Sequence, residues 1–139
     1  MPKVVIDTNI WVSALIATGN PKKIVDAWLI DGLFTVVYPQ WLIDELRNTK
    51  SKPRLVARIH PDDLQRLINF IEEDGFLVNL EKVAAISRDP KDDPFLACAQ
   101  AGDCDFIVTG DDDLLCLKTH GRTKIVSAAE FLKILEQPA

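Results

Sequence analysis

Residues 89–113 read Asp89-Pro90-Lys91-Asp92-Asp93-Pro94-Phe95-Leu96-Ala97-Cys98-Ala99-Gln100-Ala101-Gly102-Asp103-Cys104-Asp105-Phe106-Ile107-Val108-Thr109-Gly110-Asp111-Asp112-Asp113. The stretch carries eight aspartates and one lysine. An apolar run of helical character, Phe95 to Ala101, separates the two acid clusters, and a short β-like run, Phe106 to Thr109, leads into the second. Asp93-Pro94 has the N-cap and first-turn chemistry that opens a helix, and Gly102 closes it. Acids packed this densely beside core elements need a compensating partner, and a divalent cation is the simplest one. Two more acids, Asp7 and Glu45, stand where they can join the same site.

Working outward, strands and helices alternate. Val4-Val5-Ile6 is a continuous β-branched run, the pattern of a strand buried on both faces and hence of a parallel sheet. Asp7-Thr8-Asn9 offers cap chemistry for a helix from Ile10 to Ala17. Pro21 starts a second helix, with Ile24, Val25, Trp28 and Leu29 at helical spacing, and Asp31-Gly32 ends it. Phe34 to Tyr38 reads as a second strand, and a third helix runs through Trp41, Leu42, Ile43, Glu45 and Leu46. Pro53 splits residues 47–60 into a loop and a short helix. Pro61-Asp62-Asp63 opens a helix with Leu64, Leu67, Ile68 and Ile71 on one face, closed by Asp74-Gly75. Phe76 to Asn79 is a third strand. Beyond the acidic stretch come a turn and short helix from Asp111 to Leu117 and a fifth strand, Lys124-Ile125-Val126. Ser127 caps a last helix to Leu135, with Glu130 at the capping-box position. This alternation predicts an α/β fold, a three-layer α/β/α sandwich with a central parallel sheet.

Composition bounds the function. The 139 residues fit one domain spanning 1–139, with 47 % hydrophobic and 27 % charged residues. No apolar run approaches the roughly 20 residues of a membrane span, and the N-terminus reaches an acid too early for a signal peptide. The expectation is no membrane association and a cytoplasmic location. Cys98, Cys104 and Cys116 form no CxxC pair and read as free buried thiols. A net charge of −5 does not suit a general nucleic-acid coat protein, although a nucleic-acid enzyme with clustered acids can be acidic overall.

Geometry then places the acids. In a parallel sheet the carboxyl ends of all strands share one edge, where ligands bind. Asp7 follows the first strand directly, and Asp111 lies two residues past Thr109 at the end of the fourth. Glu45 lies a helical turn beyond the second strand. Asp93 starts the helix that leads into the fourth strand, so it begins near that strand's carboxyl end. All four converge on one rim. Carboxylates so gathered repel one another, and Mg²⁺ or Mn²⁺ resolves the repulsion, because hard cations take carboxylate oxygen and water. One of the retained waters can attack a phosphodiester. No CxxC, HExxH or GxxxxGK[ST] signature supports zinc or a P-loop.

Val4-Val5-Ile6-Asp7-Thr8-Asn9, Asp44-Glu45-Leu46, Arg88-Asp89-Pro90-Lys91-Asp92-Asp93-Pro94-Phe95-Leu96-Ala97 and Asp105-Phe106-Ile107-Val108-Thr109-Gly110-Asp111-Asp112-Asp113-Leu114 together resemble the PIN-domain nucleases. The resemblance is strongest to the prokaryotic, VapC-like branch described as toxin components of toxin–antitoxin pairs. It spans nearly the whole chain, in the family's order. Each piece alone is weakly specific, and the ordered set is strong. It implies a PIN fold, a metal-dependent endoribonuclease acting on RNA, and a small antitoxin protein as partner. Carried over by position, Asp7, Glu45, Asp93 and Asp111 are the catalytic and metal-site acids. Asn9 and Thr109 are their hydrogen-bonding supports, and Asp113 is a further acid. Pro94 departs from the residue many relatives carry, which keeps Asp92 open as an alternative to Asp93. A homodimer or higher homo-oligomer is the expected assembly.

Plainer readings compete at each position. Asp7 and Asp93 can be helix caps only, Glu45 a solvated residue with Asp44 in its place, and Asp111 to Asp113 a turn cluster. Arg47, Lys50, Lys52, Arg54, Arg58 and His60 gather without a nearby acid. Of these, Arg47, Lys50, Lys52 and Arg54 are candidate RNA-phosphate contacts, since an acidic site does not attract RNA unaided. The competing reading is a solvated surface. His60 and His120 read as non-catalytic. Trp11, Trp28 and Trp41 read as core or interface anchors rather than platforms for stacked bases. Other functions compatible with the fold are a non-toxin RNA-processing nuclease, a phosphatase and a non-catalytic interaction module. A phosphatase wants a second Asp two residues after the nucleophile, where this chain has Asn9. An inert module is marked by loss of acids, and here all four are present.

Overall fold

Val4, Val5 and Ile6 are at most 1 % exposed, as a strand covered on both faces requires. They form three of the four residues of β1 (Lys3–Ile6) in a computed structural model that describes residues 1–80 and 93–137. Asp89 and Asp92 lie outside the described residues, so the structure does not address their reading as loop or ligand. The other strands are β2 (Thr35–Pro39), β3 (Phe76–Val78), β4 (Phe106–Val108), β5 (Thr119–His120) and β6 (Thr123–Val126). They form one sheet in the order β3-β2-β1-β4-β6-β5, parallel except for the β5–β6 pair. The chain leaves β1 toward β2 and β3, then returns to the other side of β1 as β4. The reversal lies between β1 and β4, the place where open α/β sheets bind ligands.

The helices flank this sheet. They are α1 (Thr8–Ile16), α2 (Asn20–Leu29), α3 (Gln40–Asn48), α4 (Pro53–Val56), α5 (Pro61–Asp74), α6 (Pro94–Ala101), α7 (Asp112–Leu115) and α8 (Ala128–Glu136). A 3-10 turn, Thr49–Ser51, joins α3 to α4. Helix α2 packs on α1 and α8, and α6 crosses β2, β1 and β4. The apolar spacing in α5 buries Leu64, Leu67, Ile68 and Ile71 as one stripe. His60 caps that helix through its ring, accepting from the Asp62 N–H at 3.1 Å, a structural role consistent with its non-catalytic reading. Close packing ends it: a Cβ on Gly75 would lie 2.6 Å from the Ile71 carbonyl oxygen and 2.9 Å from the Tyr38 ring. No helix among the described residues is long and apolar enough to cross a membrane.

Two expectations need correction. The sheet has a sixth strand, β5, that pairs antiparallel with β6 through His120↔Thr123. Two residues are too few to show a period, and the turn between them rests on Gly121, whose φ is +61°. The cysteines are free, but Cys116 is exposed while Cys98 and Cys104 are buried. Burial pushes the Cys98 thiol far up and the Cys104 thiol up to about 11, so both are protonated packing groups.

Candidate active site

The site is built from strand ends. Val4↔Phe106 and Ile6↔Val108 are paired, so β1 and β4 end level with each other. Asp7 continues the ladder, its N–H donating to the Val108 carbonyl at 3.1 Å, and Thr109 does the same toward Val126 at 3.0 Å. Asp7 and Thr109 are therefore side by side, and the Thr109 hydroxyl donates to Asp7 Oδ2. The same hydroxyl oxygen accepts the Asp111 N–H at 3.0 Å. One buried threonine thus fixes the Asp7 carboxylate and the backbone that carries Asp111.

Three of the acids are also helix caps. Asp7 Oδ1 accepts from the Ile10 N–H at 3.1 Å and caps α1. Asp93 Oδ1 accepts from Phe95 N–H at 2.7 Å and caps α6. Asp111 Oδ1 accepts from Asp113 N–H at 2.9 Å and caps α7. Each of the three opens a helix, and capping does not remove these side chains from the cleft. Asp7, Glu45, Asp93 and Asp111 all line one hollow of about 210 Å³, together with Thr8, Asn9, Trp41, Lys52, Phe95 and Leu114. Asp44 is not in that wall; it is exposed and accepts from Gln40 Nε2 at 3.2 Å. Asp113 is exposed, meets Asp111 through its main chain and does not line the hollow. Asn9 lines the hollow, and its backbone N–H supports the Asp7 carboxylate.

Electrostatics follow from this placement. Burial pushes the Asp7 carboxyl above its ordinary value, and the nearby Asp93 charge pushes the same way; the Thr109 hydroxyl and the backbone N–H groups of Ile10 and Asn9 oppose them. Burial likewise raises Asp93, opposed by the Phe95 and Leu96 N–H groups and reinforced by the Asp111 charge. Like charges therefore meet in a partly dry cleft. The donor set suits a hard divalent cation: carboxylate oxygens, no thiol or imidazole in the wall, and Thr8 Oγ1, buried with no hydrogen-bond partner among the described residues. Among the described residues, however, no three Asp, Glu, His or Cys side chains are gathered closely enough to cage an ion.

The basic candidates separate. Lys52 lines the acid hollow. Arg47 has an acid nearby after all, pairing with Glu72 of α5 at 3.7 Å. Lys50 borders a different, apolar hollow with Leu55, Val56, Ile59 and Leu64, and Arg54 is exposed on α4. Trp11 and Trp28 are core anchors, edge-on to each other with centroids 5.6 Å apart. Trp41 is not: it is 40 % exposed and lines the acid hollow. Sequence reasoning also passed over Thr8. The signal for Trp41 was its spacing, four residues before Glu45 on one helix.

The acidic cleft thus stands at the strand reversal of a mostly parallel sheet, the place where open α/β sheets bind ligands. The chain belongs to the PIN domain family, which matches residues 3–113 and whose members are generally nucleases. It is 26 % identical over 145 residues to the uncharacterized protein MJ1680 of Methanocaldococcus jannaschii, covering 97 % of this chain and 92 % of that one. Its fold matches the crystal structure of VapBC2 from Rickettsia felis bound to a DNA fragment from their promoter, with a TM-score of 0.56 and 13 % identity, over 90 % of this chain and 98 % of that one.

Proposed function

We propose that this chain is a Mg²⁺- or Mn²⁺-dependent endoribonuclease, the toxin of a toxin–antitoxin pair. It works in the cytoplasm as a homodimer or higher homo-oligomer and is held in check by a small antitoxin protein. The observation that carries the nuclease reading is the meeting of Asp7, Glu45, Asp93 and Asp111 in one cleft of a PIN-domain chain. The fold shared with VapBC2 supports the partner protein.

Asp7, Glu45, Asp93 and Asp111 would hold the cation. When bound, it supplies positive charge against the phosphate and makes water a better nucleophile. The chain's own residues do the rest. Thr109 holds Asp7 in a single orientation, the N-termini of α6 and α7 present their caps Asp93 and Asp111, and Lys52 offers a positive contact for a phosphate. Because the acids repel one another without an ion, Mg²⁺ or Mn²⁺ should raise the melting temperature. A hundredfold excess over Kd is worth about 2.7 kcal/mol. The deciding experiment pairs that melt with cleavage of single-stranded RNA. We expect cleavage with Mg²⁺ or Mn²⁺ and none in EDTA. EDTA-insensitive cleavage overturns the mechanism, and absence of both divalent binding and cleavage returns the chain to an inert module.

The basic contacts have their own test. Lys52→Ala should weaken RNA binding and lower the slope of log affinity against log salt by about 0.7, one phosphate contact on a single strand. Arg47→Ala should change the slope less, because Glu72 already engages that guanidinium. Equal slopes in wild type and the Lys52 variant would return the stretch from Arg47 to Arg54 to a solvated surface.

A further inference from the structure

The exposed indole in the acid cleft asks for an occupant. Trp11 and Trp28 are 0 % and 7 % exposed and do the packing expected of tryptophan, whereas Trp41 keeps 40 % of its surface open. It stands one helical turn before Glu45 on α3, so the ring and the acid share a face. Both line the hollow that holds Asp7, Asp93 and Asp111. Phe95 fixes the ring: the centroids are 5.4 Å apart and the planes 85° from parallel, with Phe95 only 4 % exposed. Phe95 is in turn placed by the Asp93 cap on its N–H. A ring held this way loses little freedom on binding.

From this we infer that Trp41 is a stacking platform for one unpaired base of the substrate, next to the scissile phosphate. The inference rests on the ribonuclease reading and adds to it a residue that holds the substrate. The cleft's acids repel a phosphodiester, and among the described residues of the wall Lys52 is the one that offers a compensating charge. Stacking contributes affinity that does not depend on charge, and every base has a π-face. It also demands a base free of its helix, which selects single-stranded loops and ends over duplex.

Binding is best read in an Asp7→Asn background with Mg²⁺, where the strand is not consumed. The probes are a short labelled oligoadenylate and its abasic counterpart with the same phosphates. Adding Trp41→Ala should weaken the oligoadenylate by about 5- to 150-fold and leave the abasic strand and the salt slope unchanged. Trp41→Phe should restore most of the binding. Undiminished oligoadenylate binding by the Trp41→Ala protein overturns the platform and leaves the nuclease reading standing. So does an equal loss on both strands, which marks a purely structural role. Intact RNA binding with a halved particle mass in solution would assign the ring to contact with a second copy instead. Failure of the wild-type protein with Mg²⁺ to bind or cleave the oligoadenylate overturns the RNA reading itself, together with the platform.

Discussion

Exchange of Asp7 for Asn is expected to abolish RNA cleavage while the protein stays folded. Asp7 is the most enclosed acid of the cleft, 5 % exposed, with one oxygen on the Ile10 N–H and the other on the Thr109 hydroxyl. Asparagine keeps the size and one carbonyl oxygen for the α1 cap. The negative charge that a hard cation requires is what disappears. The loss should exceed the roughly 10- to 100-fold expected for removing the supporting hydroxyl alone by Thr109→Val. Retention of metal-dependent cleavage by the Asn variant would falsify the site.

The same exchange has a pH signature in metal-free protein. Burial raises the folded Asp7 carboxyl above the ordinary 3.8, so the folded protein binds that proton more tightly than the unfolded chain does. The resulting stability is fully present below the unfolded value and is lost as pH rises through the raised folded value. The Asn variant lacks this loss. Melts in EDTA at about pH 4 and about pH 7 should show the variant gaining on wild type as pH increases. Mg²⁺ should then restore wild type and do little for the variant. A constant difference across that range would mean that Asp7 titrates normally.

Asp93 gives the second large effect, because capping and metal holding ask different things of one side chain. A cap needs a short acceptor for the Phe95 N–H, now 2.7 Å from Oδ1, and Asn supplies one almost as well as Asp. A cation needs the charge. Asp93→Asn should therefore keep the melting temperature within a degree or so and remove most activity. Asp93→Ala should lose activity and also about 1 kcal/mol of stability. Asp92→Asn is the comparison. If it silences the enzyme while Asp93→Asn cleaves normally, cap and ligand are neighbours and the cleft begins one position earlier.

The legible parts of the fold are those where short-range pattern and burial agree. Val4-Val5-Ile6 and Phe106-Ile107-Val108 are apolar without alternation because the flanking elements cover the sheet on both faces. Asp7 and Asp111 could be placed on one edge because each directly follows such a strand. Strand β5 was not legible: two residues carry no period, and its antiparallel pairing is set by the turn at Gly121. The side of α3 that faces the cleft was also hidden. Leu42, Ile43 and Leu46 mark its buried stripe, but they do not say that the flank carrying Trp41 and Glu45 shares a hollow with Asp93, the cap of a helix much later in the chain. Nor does a cluster of cations reveal which one reaches the acids. The bend of the chain around Pro53 brings Lys52 to the cleft and leaves Arg54 on the outside.

The double duty of Asp7, Asp93 and Asp111 bears on how a lineage built on this chain would change. At catalytic positions, which are shaped for chemistry at some expense of stability, an exchange that ends activity need not cost folding. Here each acid sits where asparagine or serine is an equally good helix opener. Drift at these positions silences the chemistry first and leaves the folded surface intact. Descendants that have lost these three acids should therefore persist as well-folded, silent copies rather than as debris.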